Sequence, residues 1–163
     1  MQFSPGQTVV HPNHGPSTVT QVVHRSVQGV TRTYVELQVH RTELLLLIPI
    51  DHAEAVGLRL PRAASELNEL WGVLRDPTVH EEEQWSRRMK GNQEKLRVGD
   101  LLRTAEVVRD LTRRDETRGI SAGERDMLKH ARLPLVIELG LSLSLSDEEA
   151  GRALDVAIHG GQP

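Results

Sequence analysis

The sequence predicts an α+β protein, with a small N-terminal β-barrel followed by a compact bundle of about five α-helices. Three observations carry that reading. Short β-rich stretches punctuated by turn residues fill the first 60 positions, apolar residues recur at helical spacing from residue 65 onward, and capping signatures paired with Gly or Pro stops divide that second part into helices. A chain of 163 residues can bury cores of this size without covalent staples.

The strands come first. Val9-Val10, Thr18-Val19-Thr20-Gln21-Val22-Val23, Arg32-Thr33-Tyr34-Val35-Glu36-Leu37-Gln38-Val39 and Glu43-Leu44-Leu45-Leu46-Leu47-Ile48 are β-rich or alternating. Pro5-Gly6, Pro12-Asn13-His14-Gly15-Pro16, Gln28-Gly29 and Pro49 separate them as turn signals. About four or five strands this short are too few for a large sandwich, so a twisted barrel of SH3 or Tudor type is the expected closure, spanning residues 1–62.

Residues 63–163 read as helical. Ser65 is the expected cap of a helix carrying Leu67, Leu70, Trp71 and Leu74 on one face, with Pro77 as its end. A second helix is expected over 81–96, with Gly91 a weak point and Gly99 a stop. Asp100 caps a third, with Leu101, Ala105, Val108 and Leu111 at helical spacing and Gly119 beyond it. Ser121 with Glu124 forms a capping box opening a fourth helix to about Leu139, distorted at Pro134. Ser146 with Glu149 repeats that signature before a last helix ending near His159. Leu141–Ser146 alternates like a strand, but without a partner strand it reads as a helix end and linker.

Composition narrows the function. The absence of cysteine excludes disulfides, thiolate metal sites and thiol catalysis. The start lacks signal-peptide character and no apolar run reaches membrane-spanning length, so a soluble cytoplasmic protein is expected. The net charge of -3 hides a pattern: residues 85–133 hold 13 of the 20 basic residues against eight acidic ones, and the flanking segments are acidic. One basic block in an acidic chain suits a localised anionic partner; a helix laced with salt bridges is the competing explanation.

Trp85 stands where the sign of charge reverses, after Glu81-Glu82-Glu83 and at the head of Trp85-Ser86-Arg87-Arg88-Met89-Lys90. It is one of two tryptophans in a chain with one Tyr and one Phe. A flat apolar group beside cations suits a wedge against stacked bases, while a helix-packing role is the alternative. Helical spacing assigns Trp71 to the core.

Enzyme chemistry finds no support. His11 and His14 have no third metal ligand at useful spacing, and a turn or packing role fits them better. Gly119-Ile120-Ser121-Ala122-Gly123 resembles a nucleophile elbow but lacks the preceding strand, and Ser121 serves as a cap. No catalytic residue, metal or cofactor is expected. The run Leu44-Leu45-Leu46-Leu47-Ile48 is more telling, because in a small barrel at least two of these residues must point away from the core. Either a partner covers them, by adding a strand, or the helical domain does.

In order along the chain, several segments resemble the CarD/CdnL family of bacterial RNA polymerase-binding transcription regulators. They are Phe3-Ser4-Pro5-Gly6-Gln7-Thr8-Val9-Val10-His11-Pro12-Asn13-His14-Gly15, Pro49 with Val56-Gly57-Leu58-Arg59, and Trp85-Ser86-Arg87-Arg88 with Lys90, Asn92 and Lys95. Ala105-Glu106-Val107-Val108-Arg109-Asp110-Leu111, Arg113-Arg114-Asp115 and Arg118-Gly119-Ile120-Ser121-Ala122-Gly123-Glu124 complete the series. Family members usually carry Tyr or another residue at the place of His11.

The resemblance implies a Tudor-like domain that docks on the RNA polymerase β subunit and a helical domain that contacts promoter DNA. The family tryptophan wedges into the minor groove at the upstream edge of the bubble and stabilises the open promoter complex. Carried over, Trp85 is that wedge, with Arg87, Arg88, Lys90, Asn92 and Lys95 on the DNA beside it. Arg25 and the strand Leu44, Leu45, Leu46, Leu47 and Ile48 then meet the polymerase. Some relatives place a basic residue where this chain has Leu47, which exchanges an ion pair for apolar contact. A monomer, cytoplasmic and brought to the nucleoid through polymerase, is expected. The rival class is a Tudor-type interaction module binding a repair or coupling factor, with purely structural helices. A free-standing nonspecific DNA binder is disfavoured by the net negative charge.

Overall fold

The computed structural model describes residues 2–27, 29–40, 42–78 and 81–161; Gln28 of the expected Gln28-Gly29 turn lies outside them. The chain divides into two compact units, Met1–Pro61 and Arg62–Pro163. Each has its own hydrophobic core.

Unit 1 is an antiparallel meander of β1 (Thr8–His11), β2 (Gly15–Val27), β3 (Val30–Val39) and β4 (Leu45–Pro49), in that spatial order. Period-2 alternation sends Val9, Val19, Val35, Leu37 and Ile48 to one face, where Ala53 and Leu58 complete the core. A bulge between Val19 and Gln21 shifts the β2–β3 register, the kind of irregularity that bends a strand and raises its twist. Arg59 bridges Val10 along the outer edge of β1, with N–O distances of 2.7 and 3.1 Å. The expected barrel is therefore a four-stranded half-barrel. Its β1 edge is covered by the chain beyond β4, and β4 itself ends the sheet.

His11 explains the turn between β1 and β2. Its imidazole is buried, and Nδ1 accepts from the backbone N–H of Asn13 at 3.1 Å and of His14 at 3.3 Å. Burial, and secondarily the charge of His14, lowers its pKa below the ordinary histidine value. A base whose folded pKa is depressed binds its proton more readily when unfolded, so its contribution is intact above the ordinary value and is lost as pH falls toward the folded pKa. Unit 1 should therefore melt at lower temperature as pH drops below about 6.5. His11→Asn keeps a short acceptor without a titration and should flatten that part of the melting curve; an unchanged slope would remove His11 as its source.

Unit 2 opens with a 3-10 turn, Ala64–Leu67, continues into α1 (Asn68–Arg75), and then forms α2 (Trp85–Arg97), α3 (Leu101–Thr117), α4 (Ala122–Leu143) and α5 (Asp147–Ile158). The fold class is the expected one: a small β unit followed by five helices. Leu67, Leu70, Trp71 and Leu74 of the first segment pack with Ala105, Val108, Leu135, Leu139, Leu154 and Ile158, and Trp71 is only 8% exposed. The capping boxes of Ser121 with Glu124 and of Ser146 with Glu149 form as expected, and Asp100 Oδ1 accepts from Arg103 N at 2.9 Å.

Three boundaries differ from expectation. Ser65 does not cap the first helix; the Ala63 amide donates instead to Glu66 Oε2 at 2.6 Å, and the chain makes a 3-10 turn first. The second helix begins at Trp85, four residues late, because the acidic run is extended and bound to other elements. The fourth runs on to Leu143 with Pro134 in its interior. Pro134 and His130, the residue whose carbonyl it leaves unbonded, are both exposed, so water is at hand for that group.

Arg113 on α3 ties two helix ends together. Its guanidinium donates to the carbonyls of Leu74 at 3.1 Å and Asp76 at 2.7 Å, beside the end of α1, and to Ile158 at 2.8 Å, the end of α5. A cation at two negative helix C-termini satisfies carbonyls that the helices leave free. Arg113→Met should lower the stability of unit 2 by about 3 kcal/mol, the scale for hydrogen bonds from a charged donor, as read by urea unfolding. A loss below about 0.5 kcal/mol, the range of ordinary surface changes, would show that water replaces the guanidinium.

Candidate functional site

Two exposed features distinguish the surface, one in each unit. In unit 1 the β3–β4 register sets Leu45 opposite Gln38 and Leu47 opposite Glu36. Because Val35, Leu37 and Val39 face the core, their β3 neighbours and both leucines face outward. Leu45 is 57% exposed and Leu47 38%, whereas Leu46 is half-buried and packs against the core, and Ile48 is 7% exposed. Leu44, ahead of the strand, is also exposed. The five-residue apolar run thus splits into inward and outward halves, and the outward half lies on an edge strand.

Arg25 lies on the same outward face, directly opposite Arg32 on β3, and both are exposed. Like charges in direct cross-strand opposition are mildly destabilising, so this pair costs stability where it stands. Arg32 had no signal in the sequence, since the register that brings it to Arg25 depends on the hairpin. Nearby, Glu36 Oε1 accepts from Thr20 Oγ1 at 2.6 Å and from Gln21 Nε2 at 3.2 Å. Those bonds, foremost the Thr20 hydroxyl, hold its carboxyl below the ordinary range.

In unit 2, Trp85 is the first residue of α2 and is 52% exposed. Its indole Nε1–H donates to Ser121 Oγ at 3.0 Å. No side chain caps this helix, so its first amides carry the positive end of the dipole beside the indole. Arg87 and Lys90 are exposed and make no ion pair among the described residues; helical spacing puts them on the side of α2 away from Trp85 and Arg88. Asn92 is half-buried in a cleft of about 250 Å³ that Arg87, Arg88 and Lys95 also line. Lys95 Nζ lies 2.9 Å from Glu106 Oε2 on α3, a pair about one-third exposed on each side.

Arg88 behaves differently from the other cations of α2. Its side chain is 11% exposed, and Nε donates at 2.6 Å to Oε1 of Glu124, which is wholly buried. Nη1 donates to the carbonyls of Glu82 at 2.9 Å and Glu83 at 3.2 Å. Burial pushes the Glu124 carboxyl up, but the bonds from Arg88 and Ser121 outweigh it, so the group sits below its ordinary value.

The acidic run is held in the same way. Glu81 pairs with Arg114, and Glu83 lies 2.6 Å from Arg118, which holds the Glu83 carboxyl below its ordinary range. Arg109 donates to Asp110 and to the Val73 carbonyl, and Asp110 accepts from Thr78. Much of the basic surplus in residues 85–133 is therefore spent inside unit 2, where arginines strap the segment ahead of α2 onto α3. The salt-bridge reading holds for α3, whereas on α2 Arg87 and Lys90 stay unpaired among the described residues.

Among the described residues, no cluster of three His, Asp or Glu side chains could hold a metal, and no helix is long and apolar enough to cross a membrane.

Comparison with known proteins agrees with this division. Residues 69–155 match the family described as CarD, C-terminal domain, and residues 3–60 match the CarD-like/TRCF RID domain. The chain is 22% identical over 147 residues to YdeB of Bacillus subtilis (strain 168), named there as a candidate transcription factor, covering 90% of this chain and 96% of that protein. Among solved structures it matches the 72-residue N-terminal domain of Myxococcus xanthus CarD with 27% identity and a TM-score of 0.32, over 36% of this chain and 79% of that one.

Proposed function

Because the chain belongs to the CarD family, we propose that it is a transcription regulator that docks on the RNA polymerase β subunit through unit 1 and stabilises the open promoter complex with Trp85 of unit 2. The observation that carries the proposal is the half-exposed indole at the start of α2, in a chain whose other tryptophan is core. A large apolar ring kept at the surface by a hydrogen bond serves packing poorly. It suits insertion at an unstacked base step at the upstream edge of the bubble. Arg87 and Lys90 supply phosphate contacts on one side of α2, and Asn92 and Lys95 lie nearer the Trp85 side, the Lys95 pair being exposed enough to exchange for a phosphate.

Docking uses backbone groups along the free edge of β4, with Leu45 and Leu47 covered by the added strand. Arg25 and Arg32 on the same face favour an acidic patch on the polymerase, which relieves their mutual repulsion. Such a wedge needs no base-specific contact, since position comes from where polymerase sits and from which steps unstack readily. Tethering raises the effective concentration, so intrinsic affinity for plain duplex is expected to be weak.

Pull-down with purified polymerase core, together with a promoter-melting assay, tests both halves. Retention on polymerase with slower bubble closure is expected. Retention without any effect on melting would leave only an interaction module, and salt-sensitive binding to plain duplex without polymerase would point to a nonspecific DNA binder.

A further inference from the structure

Behind the Trp85 ring lies a connected set of groups centred on the buried carboxylate of Glu124, with Ser121 and Arg88 half-buried beside it. Ser121 Oγ accepts from the indole at 3.0 Å and from the Glu124 amide at 3.2 Å. Glu124 Oε2 accepts from the Ser121 amide at 2.9 Å, and Oε1 accepts from Arg88 Nε at 2.6 Å. Arg88 Nη1 closes the set on the Glu82 and Glu83 carbonyls, in the segment that leads into α2. One guanidinium thus joins the first turn of α4 to the entry of α2, and the indole is bound at the junction.

We infer that Arg88, Glu124 and Ser121 form a positioning relay that sets the angle at which Trp85 is presented, and that Arg88 acts inside the protein instead of on phosphate. The effect on open complexes rests on the wedge reading; the effect on the indole does not. Both acceptor sites of the Ser121 hydroxyl are occupied, so its position follows the first turn of α4. That turn is fixed by a buried carboxylate, which stays ionised only while Arg88 and the Ser121 amide bond it. The same turn of α4 meets α2 at Gly123, where a Cβ would lie 3.1 Å from Met89 Cε. Drawing Arg88 out to a phosphate would strand Glu124, whereas Arg87, one residue earlier, reaches solvent at no such cost.

The two indole N–H resonances of the full-length protein, labelled with ¹⁵N-tryptophan, provide the test, with Trp71 as internal control. Ser121→Gly removes the hydroxyl at little cost to the helix cap. It should speed solvent exchange of the Trp85 indole proton by about two- to tenfold, the range for losing one ordinary hydrogen bond, with the Trp71 resonance in place. Arg88→Lys and Glu124→Gln keep size and, for lysine, charge, yet should mobilise the same indole; Arg88→Lys should also shorten open-complex lifetime. If Arg88→Lys and Glu124→Gln both leave the Trp85 resonance and its exchange unchanged, the relay does not exist. A mobilised indole with unchanged lifetime upholds the relay and counts against the wedge. An undisturbed indole in these variants, alongside a shorter lifetime for Trp85→Ala, removes the relay alone.

Discussion

Trp85→Ala should shorten the lifetime of an open promoter complex by about five- to 150-fold, the span expected when a base loses an aromatic stacking partner worth about 1–3 kcal/mol. Polymerase binding and the melting temperature of the protein should be nearly unchanged. The residue is half-exposed and begins its helix, and its indole N–H bonds a Ser121 hydroxyl that water can reach once the ring is gone. Little of the fold therefore depends on it. Trp85→Phe separates ring from N–H: it keeps a stacking surface but loses the bond to Ser121, and an intermediate lifetime is expected. A lifetime equal to that of the native protein in Trp85→Ala, with intact folding, would eliminate the wedge.

The second large effect concerns β4, where two adjacent leucines should give opposite phenotypes. Leu47→Asp places a carboxylate on the outward face, so unit 1 should keep its stability. The affinity for polymerase should fall at least about 30-fold, corresponding to the roughly 2 kcal/mol or more of a central interface residue. Leu46→Asp sends a charge toward the core shared with Val35, Leu37 and Ile48, and should unfold unit 1 or lower its melting temperature sharply. Thermal unfolding and polymerase pull-down distinguish the two. Loss of stability in Leu47→Asp would mean that this face is internal.

The alternation of β3, the capping boxes and the apolar spacing of Leu67 to Leu74 are local signals, and they placed the sheet, the helices and Trp71 correctly. The acidic run misled because Glu81 to Glu83 are good helix formers. Their partners, Arg114, Arg118 and Arg88, lie far along the chain or on the next helix, so no local pattern shows that the segment is held extended. Arg88 illustrates the same limit for the site. Beside Arg87 it reads as one more cation, and only the burial of Glu124, 36 positions away, reveals its engagement inside the protein. Ser121 and Glu124 were legible as a helix cap; their second task, holding the indole, depends on how α4 meets α2.

In the proposed function, Trp85 acts only after unit 1 has carried it to polymerase. A double-mutant cycle on open-complex lifetime tests this directly, comparing the native protein, Trp85→Ala, Leu47→Asp and the double variant at a concentration where Leu47→Asp no longer binds polymerase. Trp85→Ala is expected to have a large effect alone and none in the Leu47→Asp background. An equal loss of lifetime in both backgrounds would contradict it, because the tryptophan would then reach the bubble without its tether.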